Sequence, residues 1–61
     1  MNPFKPGDVV IIEINERELK RPPRLAVVTH SNGPVINAEY VDDGKKFYGS
    51  YIYASFPPDA A

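Results

Sequence analysis

The strongest structural signal in this sequence is a turn that leads directly into a β-branched run, in the segment Phe4-Lys5-Pro6-Gly7-Asp8-Val9-Val10. Glycine permits a tight backbone here, and the Asp8 side chain can accept a hydrogen bond from its own turn. The valines and isoleucines at positions 9–12 favour a pleated, half-buried surface. The segment therefore predicts a first β-strand that starts abruptly, as in many small five-stranded barrels.

The length of 61 residues predicts one domain, residues 1–61, near the lower size limit for unaided folding. A core this small supplies about 3–5 kcal/mol of net stability, so pairing with a second copy or a partner is a natural supplement. The sequence has no cysteine, which excludes disulfides and thiolate metal sites, and one histidine cannot assemble a zinc site. We therefore predict no metal and no cofactor.

The charge balance limits the classes of partner. Seven basic and eight acidic side chains give a formal net charge of −1, which argues against a protein that binds nucleic acid mainly by neutralising phosphates. No apolar run approaches the ~20 residues that span a bilayer. The N-terminus also lacks the basic and apolar regions of a signal peptide. We expect a soluble cytoplasmic protein with no membrane partner.

Apolar patterning predicts four strands. The first is expected at residues 8–14, where the unbroken apolar run suggests that both faces are partly covered. The second is expected at residues 24–30, the third at 35–41 and the fourth at 45–53. After these, a short closing segment is expected to tuck Phe56 against the core and to add about one bridge of a fifth strand.

Turn signals separate these strands. Ser31-Asn32-Gly33-Pro34 carries an Asn-Gly pair suited to the positive φ angles of a type I′ hairpin, and Asp42-Asp43-Gly44 predicts a second turn. Gly49, in the middle of the fourth strand, predicts a bulge or a sharp bend.

Residues 15–23, with the sequence NERELKRPP, change character abruptly. Because Pro22 and Pro23 cannot donate ladder hydrogen bonds, this segment is predicted to be a long solvated loop. The whole pattern predicts an all-β fold, a small SH3-like barrel of four to five short antiparallel strands.

Both ends of the chain resemble the YodC-like family of small uncharacterised bacterial and prophage proteins. Residues 4–10 are similar to that family's F-x-x-G-D-x-V opening, and Ser55-Phe56-Pro57-Pro58-Asp59-Ala60 to its F-P-x-x-x-L ending. Residues 40–46 are similar to its W-F-D-G-x-K stretch, with Tyr40 in place of tryptophan. The chain departs from the family at residues 15–23, where the family has a short Ser-Gly-Gly segment. The resemblance implies an SH3-like barrel and no particular activity.

A second, weaker similarity runs to the PemK/MazF class of toxin ribonucleases, which are also SH3-like barrels. Their G-D-V-V start is echoed by residues 7–10, and their R-P-x-L-V-x-S strand by residues 24–29. Those toxins are nearly twice as long, so the similarity implies a shared barrel. A reduced ribonuclease with Arg24 and Thr29 near the chemistry stays a third hypothesis.

Two groups of residues are candidate binding sites. A basic cluster in the first loop could hold phosphates or an acidic protein surface, although Glu16 and Glu18 could equally leave it a solvated charged loop. The aromatic fourth strand could stack on bases or contact a protein, or its rings could belong to the core and the barrel rim. The candidate binding residues are Arg17, Lys20, Arg21, Arg24, Tyr48, Tyr51 and Tyr53.

No residue pattern indicates catalysis. His30 and Ser31 are adjacent on a strand, where neighbouring side chains point apart, so they do not make a nucleophile–base pair. Asp42 and Asp43 are turn formers, because two acids without further oxygen ligands fall short of a calcium loop.

The first hypothesis for function is therefore a non-enzymatic protein-interaction module, of the kind that phages and prophages encode as accessory proteins. The alternative is a nucleic-acid-binding barrel that uses the basic first loop and the aromatic fourth strand. A homodimer is a further expectation, because an aromatic edge strand and a small core both gain from pairing.

Overall fold

A computed structural model describes residues 1–58 of the chain. Within them lie five strands and one 3₁₀ turn: β1 (Val9–Asn15), β2 (Lys20–Asn32), β3 (Val35–Tyr40), β4 (Lys46–Ser50), the 3₁₀ turn (Tyr51–Tyr53) and β5 (Ala54–Ser55). All pairings are antiparallel, in the order β4-β3-β2-β1-β5. This confirms the all-β, SH3-like arrangement, with a sheet that stays open between β4 and β5. Asp59 and Ala60, part of the family-like ending, lie outside the described residues.

The opening turn forms as predicted. Gly7 has a φ of 94°, and Asp8 N donates to Lys5 O at 3.0 Å across the Pro6-Gly7 pair. The Asp8 carboxylate accepts from Lys5 N at 2.9 Å. Gly7 N also donates to Val28 O at 2.7 Å, which ties the turn to β2. Proline followed by a positive-φ glycine is the pattern of a type II turn, and it directs the chain straight into β1.

One apolar core lies on the inner side of the curved sheet. Every second residue of the strands points inward, and the N-terminal segment covers one end of the core with Phe4. The ring of Phe4 packs against Phe56 with centroids 4.9 Å apart, so Phe56 tucks onto the core edge although it stays half exposed. The buried residues are Phe4, Val10, Ile12, Ala26, Val28, Ile36, Ala38 and Phe47.

The prediction of a long loop at residues 15–23 is wrong. The loop proper covers residues 16–19, and β2 begins at Lys20 and runs through both prolines. Ile12 pairs with Arg24 and Ile14 with Arg21, so Pro22 and Pro23 together face the single residue Glu13 in a bulge. The stretch also lies outside the β2–β3 ladder, which starts at Ala26. Proline is tolerated here because no ladder hydrogen bond requires an N–H donor in a bulge or on an unpaired side of a strand.

A second irregularity in β2 reverses which residues face inward. Val28 pairs with Ala38 and His30 with Asn37, which leaves Thr29 as an extra residue. Ala26 and Val28 point into the core before this bulge, whereas Ser31, opposite buried Ile36, lies on the core side after it. His30 is therefore exposed.

Three other local predictions need correction. The β2–β3 turn is not type I′, because Pro34 cannot take a positive φ; Gly33 alone does, at 60°, which is the type II′ pattern. Gly49 sits in an unbroken β3–β4 register and makes no bulge. Its lack of a Cβ makes room for the Phe47 ring, since a Cβ there would lie 2.9 Å from Phe47 Cζ. The fourth strand ends at Ser50, and the predicted strand residues 51–53 form the 3₁₀ turn.

Candidate functional site

The predicted basic cluster is divided by the fold. Arg17 lies in the loop between β1 and β2, and Lys20 and Arg21 open β2; all three are exposed. Strand alternation places Lys20 on the outer side, opposite Asn15, and Arg21 on the core side, opposite Ile14. Within residues 1–58, none of these three cations lies in an ion pair.

Arg24 has a different environment, because two carboxylates and a tyrosine ring surround its guanidinium. Its guanidinium donates to Asp42 at 2.6 Å, lies 3.1 Å from Asp43, and stacks with Cζ 3.8 Å from the centre of the Tyr40 ring. The hydrogen bond to Asp42 is the main cause that raises the pKa of Arg24. The pKa of Asp43 is lowered, first by the hydrogen bond from Lys45 N and then by Arg24. The charge of Arg24 is thus already compensated within the chain.

The three predicted tyrosines are not brought together either. Tyr48 is 70% exposed on the outer side of β4, opposite Asn37. Tyr51 and Tyr53 pack partly against the core from the 3₁₀ turn. The Tyr51 hydroxyl accepts from the N-terminal ammonium at 2.7 Å, and the Tyr53 hydroxyl donates to Glu16 at 2.6 Å. That bond to a carboxylate raises the pKa of Tyr53.

A surface that the sequence analysis did not single out spans three neighbouring strands. Val9 pairs with Val27, Ile11 pairs with Leu25, and Val41 N donates to Leu25 O at 3.0 Å. All five side chains are on the outer side of the sheet, away from the core. Val9, Leu25 and Val41 are 46%, 48% and 61% exposed. We call this surface the outer apolar face: Val9, Ile11, Leu25, Val27 and Val41.

A groove of about 260 Å³ lies at one end of the outer apolar face. Leu25 and Val41 form its apolar walls together with Pro23, and the ion pair between Arg24 and Asp42 lies beside them. The side chain of Asp42 is 68% exposed, so one carboxylate stays accessible at the rim. The groove therefore offers an aliphatic pocket with a polar edge.

In the sequence, the unbroken apolar runs 9–12 and 25–28 indicate this face. A half-buried strand alternates apolar and polar residues, so an apolar residue at every position indicates two faces that both avoid water. The first run was predicted to be a strand whose two faces are both partly covered. The structure buries Val10 and Ile12 on the inner side, and on the outer side it leaves Val9 about half exposed and Ile11 partly exposed.

The polar clusters weighed in the sequence have structural roles. His30 Nδ1 lies 3.2 Å from Thr29 Oγ1, and Ser31 Oγ accepts from Asn2 Nδ2 at 2.9 Å, so His30 and Ser31 are not paired. Across residues 1–58, no cluster of three or more His, Cys, Asp or Glu side chains could hold a metal ion. The same part of the chain contains no helix long and apolar enough to cross a membrane.

Comparisons of this chain with protein-family models, with curated proteins and with solved structures found no match. The resemblance to the YodC-like family and the weaker similarity to toxin ribonucleases therefore stay predictions, and the candidate site rests on the geometry of this chain.

Proposed function

We propose that this protein is a non-enzymatic protein-binding module whose partner docks on the outer apolar face. The observation that carries the proposal is that residues 9–12 of β1 and 25–28 of β2 are apolar on both sides of the sheet. The chain buries the inner side, whereas on the outer side Val9 and Leu25 are about half exposed and Ile11 and Val27 are partly exposed. Contiguous exposed apolar surface bordered by polar residues is characteristic of interaction sites. Scattered single apolar residues would not support the proposal, but these five are cross-strand neighbours.

The groove supplies a place for specificity. An aliphatic side chain of the partner fits between Leu25 and Val41, and a donor next to it on the partner can reach the exposed carboxylate of Asp42. Burying the remaining exposed half of a Leu or Val side chain is worth roughly 1 kcal/mol. The face is small, so we expect a modest affinity from this surface alone.

Nucleic-acid binding is the second candidate, supported by the three cations Arg17, Lys20 and Arg21, which make no ion pair within residues 1–58. Three observations weaken it. Glu16 and Glu18 lie in the same loop, and the fourth predicted cation, Arg24, is already engaged by two aspartates. Tyr48, the predicted stacking ring, is on β4, separated from β2 by β3.

The test compares affinity capture by the wild-type chain and by two matched variants. The double variant Leu25→Ser, Val41→Ser makes two exposed positions of the outer apolar face polar. The triple variant Arg17→Ser, Lys20→Ser, Arg21→Ser removes the cations. We expect the first variant to lose a bound protein by about tenfold or more in affinity while the second keeps it. Circular dichroism of both variants checks that the fold is intact.

Salt separates the two candidate functions. An apolar interface changes little as salt rises, whereas phosphate-driven binding weakens steeply. A protein that stays bound to the Leu25, Val41 variant contradicts the proposal. Retention of an oligonucleotide that is lost with the cation variant and with salt supports the second candidate instead.

A further inference from the structure

The free edges of the sheet differ in how well they are protected. Backbone N–H and C=O groups at an exposed strand edge can pair with another strand, and proline or a very short strand prevents this. The first half of β2 lies beyond the β3 ladder and carries Pro22 and Pro23. The strand β5 has two residues and is followed by Phe56 and then Pro57-Pro58. By contrast, β4 has five residues, no proline and a regular register.

The hydrogen bonds between β3 and β4 show which backbone groups of β4 point toward β3 and which point to the open edge. Tyr40 N donates to Lys45 O at 2.8 Å and Tyr51 N to Pro34 O at 3.0 Å, at opposite ends of one unbroken register. Because bonded and non-bonded pairs alternate in an antiparallel ladder, Phe47 and Gly49 direct their backbone groups toward β3. Lys46, Tyr48 and Ser50 consequently direct theirs to the open edge.

These three residues are complementary to themselves. If two copies of β4 pair antiparallel about Tyr48, each Tyr48 faces the other, and Lys46 of each copy faces Ser50 of the other. The central Tyr48 pair then exchanges both hydrogen bonds, because the N–H and C=O of Tyr48 both point to the open edge. In each flanking pair Ser50 N donates to Lys46 O, while the Ser50 C=O accepts from within the 3₁₀ turn that Ser50 caps. Lys46 is the one charged residue of the strand, and it meets serine rather than a second lysine. The exposed Tyr48 rings become cross-strand neighbours.

We propose that β4 is a dimerisation edge that pairs with β4 of a second copy of this chain, about a two-fold axis at Tyr48. The two five-stranded sheets then join into one sheet. Two-fold pairing uses the open β4 edge of both copies, and the β5 edge and the first half of β2 are protected, so assembly closes at two copies and does not continue into a filament. This inference is independent of the docking face, which lies on β1, β2 and the end of β3.

The test is sedimentation velocity of the full chain from about 10 µM to about 1 mM, since pairing follows mass action. Tyr48→Pro removes the central outward N–H without touching the β3–β4 ladder, a position where an edge strand tolerates proline. Tyr48→Lys keeps the N–H and places two like charges opposite each other. We expect a dimer for the wild type and a monomer for both variants, with Leu25→Ser still dimeric.

Amide hydrogen exchange supplies a residue-level readout. In the wild type, protection of the Tyr48 and Ser50 amides should rise about tenfold over the same concentration range, while Phe47 and Gly49 stay protected throughout. A wild-type chain that is monomeric at the highest concentration overturns the proposal. So does a dimer that survives both Tyr48 variants, or one that Leu25→Ser abolishes.

Discussion

Phe47 and Gly49 show how a single missing methyl group shapes the core of this protein. The ring of Phe47 is buried, meets Tyr40 edge-on at 6.4 Å, and lies over the backbone of Gly49 on the same side of β4. Because the next side chain on that side is absent, a ring of this size fits between the strand and the core. The glycine contributes space rather than backbone freedom.

We predict that Gly49→Ala destabilises the fold by about 1–3 kcal/mol, because the added Cβ forces the Phe47 ring out of place. Chemical denaturation measures this. Gly44→Ala is the matched control: no atom would crowd its Cβ, and its φ of 72° alone costs about 1–2 kcal/mol. In a Phe47→Leu background the Gly49→Ala penalty should shrink. An equal penalty in both backgrounds would show that the ring contact is not the cause.

At the scale of elements, β2 organises the molecule. Its first half pairs with β1 and its second half with β3, and a bulge lies in each half. The two prolines lie in the first bulge, on a stretch paired on one side. We infer that they guard this edge against pairing with another chain.

We predict that replacing both guards, in the double variant Pro22→Thr, Pro23→Val, leaves the fold intact but produces assemblies larger than those of the wild type. The new N–H groups supply the donors that an approaching strand needs. Light scattering over a concentration series measures the assembly size. Pro3→Thr, an exposed proline outside every strand, is the control. Unchanged scattering for the double variant would contradict the guarding role.

Local rules explain which elements were predictable. The opening turn, the four main strands and the second hairpin turn follow from nearest-neighbour chemistry, and all of them form. The prolines misled because their effect depends on whether the other side of β2 is paired, which is a tertiary property. The exposure of the outer apolar face also depends on tertiary structure. An unbroken apolar run indicates that both faces of a strand favour burial, but it does not indicate which face the chain itself covers.

At the scale of the whole molecule, stability rests on one apolar core, to which the described residues 1–58 contribute eight buried side chains. A domain of this size has a net folding stability of about 3–5 kcal/mol. The ion pairs of Arg24 are exposed enough to be screened by solvent, so they add little to the folding stability. The core itself carries the fold.

We predict that Ile36→Ala, at a fully buried position, leaves much of the protein unfolded at 25 °C, because a change of this kind costs about 2–5 kcal/mol. Leu25→Ala, at a half-exposed position of the outer apolar face, should change stability far less. Proton–nitrogen correlation spectra at low protein concentration distinguish the two outcomes. A fully folded Ile36→Ala chain would mean that the folding stability of the wild type is greater than expected for a domain of this size.

The extra residue at Thr29 has a consequence for how this fold can vary. One added residue exchanges the inward and outward positions for the rest of the strand. The bulge at Thr29 therefore determines which residues of β2 face the core between Thr29 and the hairpin. The loop at residues 16–19 and the turn at residues 41–45 can gain or lose residues without disturbing any buried side chain. Within β2 a single insertion must be cancelled by a second one. Length variation in this fold is therefore tolerated in these two connecting segments and comes in compensating pairs along its longest strand.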